Sequence, residues 1–477
     1  MKNKIALLLL LFVSTTIFSQ EKREWGTKFD YDEKKEKDLK VVLVDNYNHF
    51  TVSVINIDGG MMPTNQIIIR KFDQKNQLVN TFTQEFPYKD VSTLHNYLGS
   101  FELGKDKIVV FTDCYSNKTK KKEIHKIIFD KKASEFTTTL ITEFTFESLS
   151  KSGTTFAIPS HNKNYIGIVY SKFANKKIAE EHECFLLDGN TADLVWKKNI
   201  AFQLLSFTDN IVLNDNGKFI FVRNSKETGS KSILAVADGN TIENKDFGTE
   251  DVKIQKPISF IAGPNDYLIA FNSYAHGINR AGDYGKILVY DLNAGKVLKN
   301  NHVDNFEQIK DLNKINFNDV FVQNDEIELF VDCDFQTGTK PDPTFPNSTF
   351  KVPVYSNGIP TLLTFSMDGQ FKKGIPLDAG SYNDPLIKSI GIINIGGNYY
   401  FNTGFYSSFY TLNAPDFAVK KNKYVFLLNH QGEVQEYKGG TVINQFCNYL
   451  PDSKKMLFAK SFGNGKIAFV SISGLEL

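Results

Sequence analysis

Short apolar runs recur along the chain, and most end in an aspartate or asparagine followed by a tight polar turn. The pattern is plainest at Phe185-Leu186-Leu187-Asp188-Gly189-Asn190-Thr191, which leads into the alternating run Asp193-Leu194-Val195-Trp196. It returns at Leu234-Ala235-Val236-Ala237-Asp238-Gly239-Asn240-Thr241. Kindred runs close at Asp73, Asp130, Asp291, Asp368 and Asn429, and a last one covers residues 467–472. Each is preceded by a partner run, such as Ile108-Val109-Val110-Phe111 or Phe219-Ile220-Phe221-Val222. Apolar runs of this length bounded by Gly, Asn and Asp read as strands, and few segments show a helical period.

Successive turn aspartates from Asp73 to Asp368 are spaced by 57, 58, 50, 53 and 77 residues. A period of about 50–60 residues with roughly four strands per unit is the signature of a β-propeller. A four-stranded sheet has two faces that need burial, and stacking sheets on one another covers both. Residues 39–477 are therefore expected to form one all-β domain, a β-propeller of about eight four-stranded blades, with seven as the alternative. The last unit has no clear outer strand of its own, so the N-terminal segment is expected to supply it.

The first residues read as a processing signal. Lys2 and Lys4 precede a short apolar stretch from Ile5 to Val13, and small polar residues follow up to Ser19. Residues 1–19 are expected to be a secretory signal peptide, which places the protein in the periplasm or outside the cell, at its surface or free of it, and no later run is long and apolar enough to span a bilayer. Residues 20–38, with Tyr31-Asp32-Glu33-Lys34-Lys35-Glu36-Lys37-Asp38, read as a charged, solvated linker.

Lys and Arg number 55 against 54 Asp and Glu, a formal charge of +1, so no basic face for nucleic acid is indicated. The four cysteines, Cys114, Cys184, Cys333 and Cys447, are far apart and lie in or beside apolar runs, where buried thiols are the favoured reading. No metalloprotease, serine-hydrolase, phosphate-loop or dinucleotide motif is present. The eight histidines are scattered, with no two at metal-ligand spacing. Glu180-Glu181-His182-Glu183 is a dense polar cluster at the start of a strand and reads as a solvated loop. Asp332, Asp334 and Asp342, with Gly338 between them, partly match a calcium loop, but the glycine is displaced and the closing bidentate Glu is missing. No other cofactor is expected.

Two segments carry a resemblance to known propellers. Leu186-Leu187-Asp188-Gly189-Asn190-Thr191-Ala192-Asp193-Leu194-Val195-Trp196-Lys197 resembles the repeat of the quinoprotein-like propellers. Ile287-Leu288-Val289-Tyr290-Asp291-Leu292-Asn293-Ala294-Gly295-Lys296-Val297-Leu298 resembles the YVTN-type repeat. The resemblance implies the fold. Quinone-cofactor dehydrogenases of that superfamily carry a Trp in most blades and commonly an adjacent Cys pair. This chain has only Trp25 and Trp196 and no Cys-Cys, so the resemblance does not extend to that activity.

Function is expected where loops interrupt the repeat. Three long segments join second and third strands: residues 272–285, 332–360 and 402–423. Long loops without secondary structure are functional or disordered, and aromatic content opposes disorder. The binding residues expected there are Tyr274, His276, Arg280, Asp283 and Tyr284, then Phe335 and Tyr355, then Phe405, Tyr406, Phe409 and Tyr410. The sequence reading is an exported, non-catalytic module or scaffold that binds a protein or glycan of the envelope or exterior. The alternative is a carbohydrate-active hydrolase or lyase on the same scaffold.

Overall fold

The computed structural model describes residues 22–31, 35–45, 48–55, 66–87, 93–175, 178–203, 206–225, 231–250, 252–274, 286–302, 314–341, 351–357, 361–376, 389–395, 398–403, 408–413, 418–419, 448–450, 455–461 and 465–473. Among these the strands form eight antiparallel sheets, six of four strands and two of five. Apart from the three-residue 3-10 turn Leu149–Lys151, regular structure is all β. Each sheet is a meander of strands taken almost wholly in chain order, the blade unit of a β-propeller, and the fold is of that class. Among the described residues no helix is long and apolar enough to cross a membrane.

The chain divides into two compact units. The larger takes in residues 54–67 and 84–389, and the smaller residues 1–53, 68–83 and 390–477. In the larger unit, successive blades bury their inner strands against one another. Val109, Phe111 and Ile124 of the second blade pack with Ile168, Tyr170 and Phe185 of the third. Cys184 and Leu186 of the third pack with Phe219, Phe221 and Ala235 of the fourth. The same stacking joins the fourth to the fifth and the fifth to the sixth. Strands covered on both faces are apolar without alternation, as in Lys107–Ser116, where nine consecutive residues are buried. Outermost strands such as Leu194–Ala201 are mostly exposed and mix polar with apolar residues.

The recurring aspartates close the turns. Asp188 Oδ1 accepts from the amides of Asn190 (2.8 Å) and Thr191 (3.0 Å), and Asp238 and Asp130 repeat the arrangement. Backbone amides donating to Asp130 and Asp238 hold both carboxyls below their ordinary range. In three of these turns the amide four residues on returns to the aspartate carbonyl, with Ser134, Ala192 or Gly295 in the left-handed region.

In the smaller unit the last sheet is closed from the other end of the chain. Lys22–Trp25 pairs antiparallel with Lys466–Ser473, and Phe29–Asp30 pairs further along the same strand. The expected N-terminal closure is thus present, and the reading of residues 20–38 as a solvated linker is corrected. Phe29 and Tyr31 are buried with Phe72, Leu457 and Phe469, and Glu36 already belongs to the first strand of the next sheet. An outermost strand needs few apolar residues, which is why the segment looks like a linker in sequence.

The segment 332–360 also departs from expectation. Its described residues are strand: Glu326–Pro341 runs on as one strand, and Lys351–Asn357 pairs with its far half as a fifth strand. Asp332 and Asp334 lie in this strand, opposite Asn316 and Lys314. Asp342 lies outside the described residues.

Earlier in the same strand, Glu328 is buried and accepts from Gln323 Nε2 at 2.7 Å. Burial pushes its carboxyl up from 4.5 to about 7, against the hydrogen bond from Gln323. Its folded pKa exceeds its unfolded one, so the folded state holds the extra proton between those values. Stability from this group is full below about pH 4.5 and falls as pH rises towards 7. Glu328→Gln is expected to raise the melting temperature at pH 8 by roughly 2 °C or more, with little change at pH 4.5. Melting curves of both proteins at the two pH values check this.

Candidate functional site

A strand sends alternate side chains to one face, so a Glu two residues before a His sets carboxylate and imidazole side by side. This Glu-x-His spacing falls near the start of the third strand of two consecutive blades, as Glu123-Ile124-His125 within Lys121–Asp130 and as Glu180-Glu181-His182 across the start of Glu181–Asp188. In the third blade the register sets Ser171 opposite His182, and Ser171 Oγ lies 2.7 Å from His182 Nδ1. On the other side of the ring, Nε2 is 3.8 Å from Glu180 Oε2.

Glu180 joins the third blade to the fourth. Its carboxylate accepts from the Thr208 amide (3.0 Å) and hydroxyl (2.8 Å) and lies 3.5 Å from Arg223 Nη1. Burial opposes its ionisation, but the nearby His182 imidazole, the hydrogen bonds from Thr208 and the Arg223 charge outweigh it and hold the carboxyl below its ordinary range. Arg223 lies with its guanidinium 3.7 Å from the centre of the Phe202 ring and donates to the Gln203 carbonyl. The adjacent Glu181 belongs to a different set of contacts and binds Lys172 (2.5 Å) and Asn199.

These groups border a cavity of about 540 Å³. Its walls are the first strands of the second, third and fourth blades, Thr93–Leu103, Thr154–Pro159 and Ser206–Leu213, with the segment after Ser171. Tyr97, Phe156 and Ile158 contribute apolar surface, and Ser171, Lys172, Glu180, His182 and Thr208 contribute polar groups. Phe156 is 42% exposed, and Phe173 and Ile178, on the bordering segment, are 39% and 48% exposed. Large apolar side chains left in solvent around a cavity are a mark of a binding site.

The corresponding polar cluster of the second blade is closed. Cys114, Glu123 and His125 are all buried, and Asp113 and Lys122 form a buried ion pair at 3.0 Å beside them. Burial, followed by the Glu123 and Asp113 charges, pushes the Cys114 thiol up to about 12. Burial holds the His125 imidazole below its ordinary range, with Glu123 partly offsetting it. Cys114 and Cys184 are free and buried, as expected from the sequence.

Of the binding residues singled out from the sequence, the described ones do not line this cavity. Tyr274 ends its strand opposite Val252. Phe335 and Tyr355 stand on adjacent strands of one hairpin, opposite Ser356 and Gln336. Phe409 and Tyr410 pair with Asn402 and Phe401 in the smaller unit. His276, Arg280, Asp283, Tyr284, Phe405 and Tyr406 lie outside the described residues. The structure does correct one reading: Glu180 and His182 are not a solvated loop but a buried network, because Thr208 and Arg223 arrive from the neighbouring blade. The Glu-x-His spacing shared by two blades was the signal available for finding it.

No protein-family model matches the chain, and no curated protein matches it. Solved propellers do resemble it. The β-propeller domain of the trilobed protease from Pyrococcus furiosus is 10% identical over 79% of this chain and 94% of that one, with a TM-score of 0.38. The acylaminoacyl peptidase of Pyrococcus horikoshii is 12% identical over 91% of this chain and 59% of that one, with a TM-score of 0.41. The polysaccharide lyase Uly1 is 10% identical over 92% and 89%, with a TM-score of 0.39. Identities this low concern architecture and not chemistry.

Proposed function

We propose that this is an exported β-propeller that binds a short glycan, without turning it over, in the cavity on the first strands of its second, third and fourth blades. The observation that carries this reading is the cavity's composition. Exposed Phe156 stands beside the hydroxyl, carboxylate and ammonium groups of Ser171, Glu180 and Lys172. A sugar has apolar ring faces and a polar rim, and this wall offers a partner to each. A volume of about 540 Å³ fits a small ligand, whereas a protein partner needs a broad surface of about 800 Å². Glu180, whose carboxyl is held below its ordinary range, offers sugar hydroxyls an acceptor.

A glycan array probed with the purified protein tests the reading. Wild type is expected to retain a defined set of glycans, and Phe156→Ala to bind them about tenfold more weakly, the equivalent of about 1.4 kcal/mol. Because Phe156 is 42% exposed, its melting temperature should hold. Absence of any retained glycan, or equal binding by the variant, would refute the proposal.

A second reading, a carbohydrate-active enzyme, draws on the 2.7 Å contact between Ser171 and His182, which sets a hydroxyl against a base. Chromatography of the retained glycans after incubation separates the two: shortened products lost in His182→Asn would favour the enzyme.

A further inference from the structure

The closed cluster of the second blade differs from that of the third in one donor. In the third blade the hydroxyl of Ser171 faces the histidine Nδ1; in the second that nitrogen is faced by the thiol of Cys114, which stands opposite Glu123, with Thr112 opposite His125, in the register between Lys107–Ser116 and Lys121–Asp130. One donor atom each from Cys114, Glu123 and His125 lies within 4.8 Å of the other two. Cys114 Sγ is 3.9 Å from His125 Nδ1, and Glu123 Oε2 is 3.2 Å from His125 Nε2. Exposure is 2% for Cys114 and 6% for each of the others. The row continues on the first strand of the blade, where His95 stands opposite Cys114.

We propose that Cys114, His125 and Glu123 bind a zinc ion, with one donor atom from each and the fourth position open to His95 or water. Bonds of about 2.0–2.3 Å in a tetrahedron set donor atoms roughly 3.3–3.8 Å apart. The contacts of Cys114 and Glu123 are to opposite nitrogens of the ring, so an ion held at one nitrogen draws the other donor inward, from a separation of no more than 4.8 Å. The donor set selects the metal: thiolate and imidazole favour zinc over calcium or magnesium, which take oxygen ligands. Charge agrees as well. One thiolate and one carboxylate offset the two charges of the ion, and the neighbouring Asp113 and Lys122 offset each other. Among the described residues no other group of His, Cys, Asp and Glu gathers in this way. The third blade's cluster, with a hydroxyl in the thiol's place, lacks the soft donor.

Cobalt substitution tests the site directly. Protein stripped with a chelator and given cobalt(II) is expected to bind one equivalent and show a thiolate-to-cobalt charge-transfer band in the near ultraviolet, which zinc then displaces. Cys114→Ser should lose the band and Cys184→Ser should keep it. Glu123→Gln should weaken zinc about 10- to 100-fold in competition with a chromophoric chelator. His125→Asn provides a second variant should Cys114→Ser not fold, and it too should lose the band. A wild-type protein that shows no such band with excess cobalt overturns the proposal, as does a band that survives in folded Cys114→Ser.

Discussion

Deletion of residues 22–30 is expected to abolish cooperative folding of the smaller unit. Four residues of Lys22–Trp25 are in register with Val470 to Ser473, and the Gly26 amide continues the contact to the Phe469 carbonyl at 2.8 Å. Asn76 binds the Glu24 carbonyl at 2.9 Å, so the segment is also tied to the turn of another sheet. Phe29 sits 5.1 Å from the Phe72 ring and 5.7 Å from that of Phe469. Burying a Phe contributes about 1.5–3 kcal/mol, and the deletion strips cover from its partners as well. The summed loss of about 5 kcal/mol or more rivals the whole net stability of a typical domain, about 5–15 kcal/mol. Urea unfolding followed by circular dichroism checks this. Phe29→Ala, expected to cost about 3–5 kcal/mol, separates the core contribution from the strand pairing. A deletion variant that unfolds at the wild-type midpoint would show that closure is dispensable.

The second large effect is expected from the ion pair between Glu36 and Arg70. Both are buried, and the pair is bidentate: Arg70 Nη1 to Oε1 at 2.5 Å and Nη2 to Oε2 at 2.9 Å. Ser53 donates to the same carboxylate, and Arg70 also reaches the Asp30 carbonyl and lies over the Phe29 ring. Removing one partner leaves a buried charge alone, at about 3–5 kcal/mol. Glu36→Ala and Arg70→Ala are each expected to fall in that range. Glu36→Leu with Arg70→Leu should be destabilised by much less than the sum of the two single changes, because no charge is then left unpaired. A double-mutant cycle in urea measures the coupling, and strict additivity would count against it. The pair lies within the first blade and Arg70 ties it to the closing segment through Asp30 and Phe29, so the two predictions concern one structural knot.

Much of this fold could be read from the sequence because its repeat is driven by burial. Runs such as Ile108 to Phe111 are apolar throughout because neighbouring sheets cover both faces, and the aspartate turns mark where each run stops. The closing strand was legible only as something the last sheet lacked, since Lys22, Arg23 and Glu24 carry no apolar signal. The site was legible in part. Glu180 and His182 are close in sequence, but Ser171 meets them through strand register and Thr208 and Arg223 through the packing of the next blade. Contacts between sheets have no fixed sequence spacing. The aromatic-rich segment around Phe335 was misread as a loop because the strand there is longer than the repeat allows.

The pairing of Lys22–Trp25 with Lys466–Ser473 also sets an order of events during synthesis. Apart from Phe29–Asp30, which meets the same strand, every other pairing among the described residues joins strands near in sequence and can form as the chain lengthens, whereas these two must await residues 466–473. Until then Lys466–Ser473 has an unpaired edge, which is a template for any matching strand. The segment that fits it best need not come from the same molecule. At high local concentration a newly made chain can accept the first strand of its neighbour, and the interaction that completes one propeller then joins two.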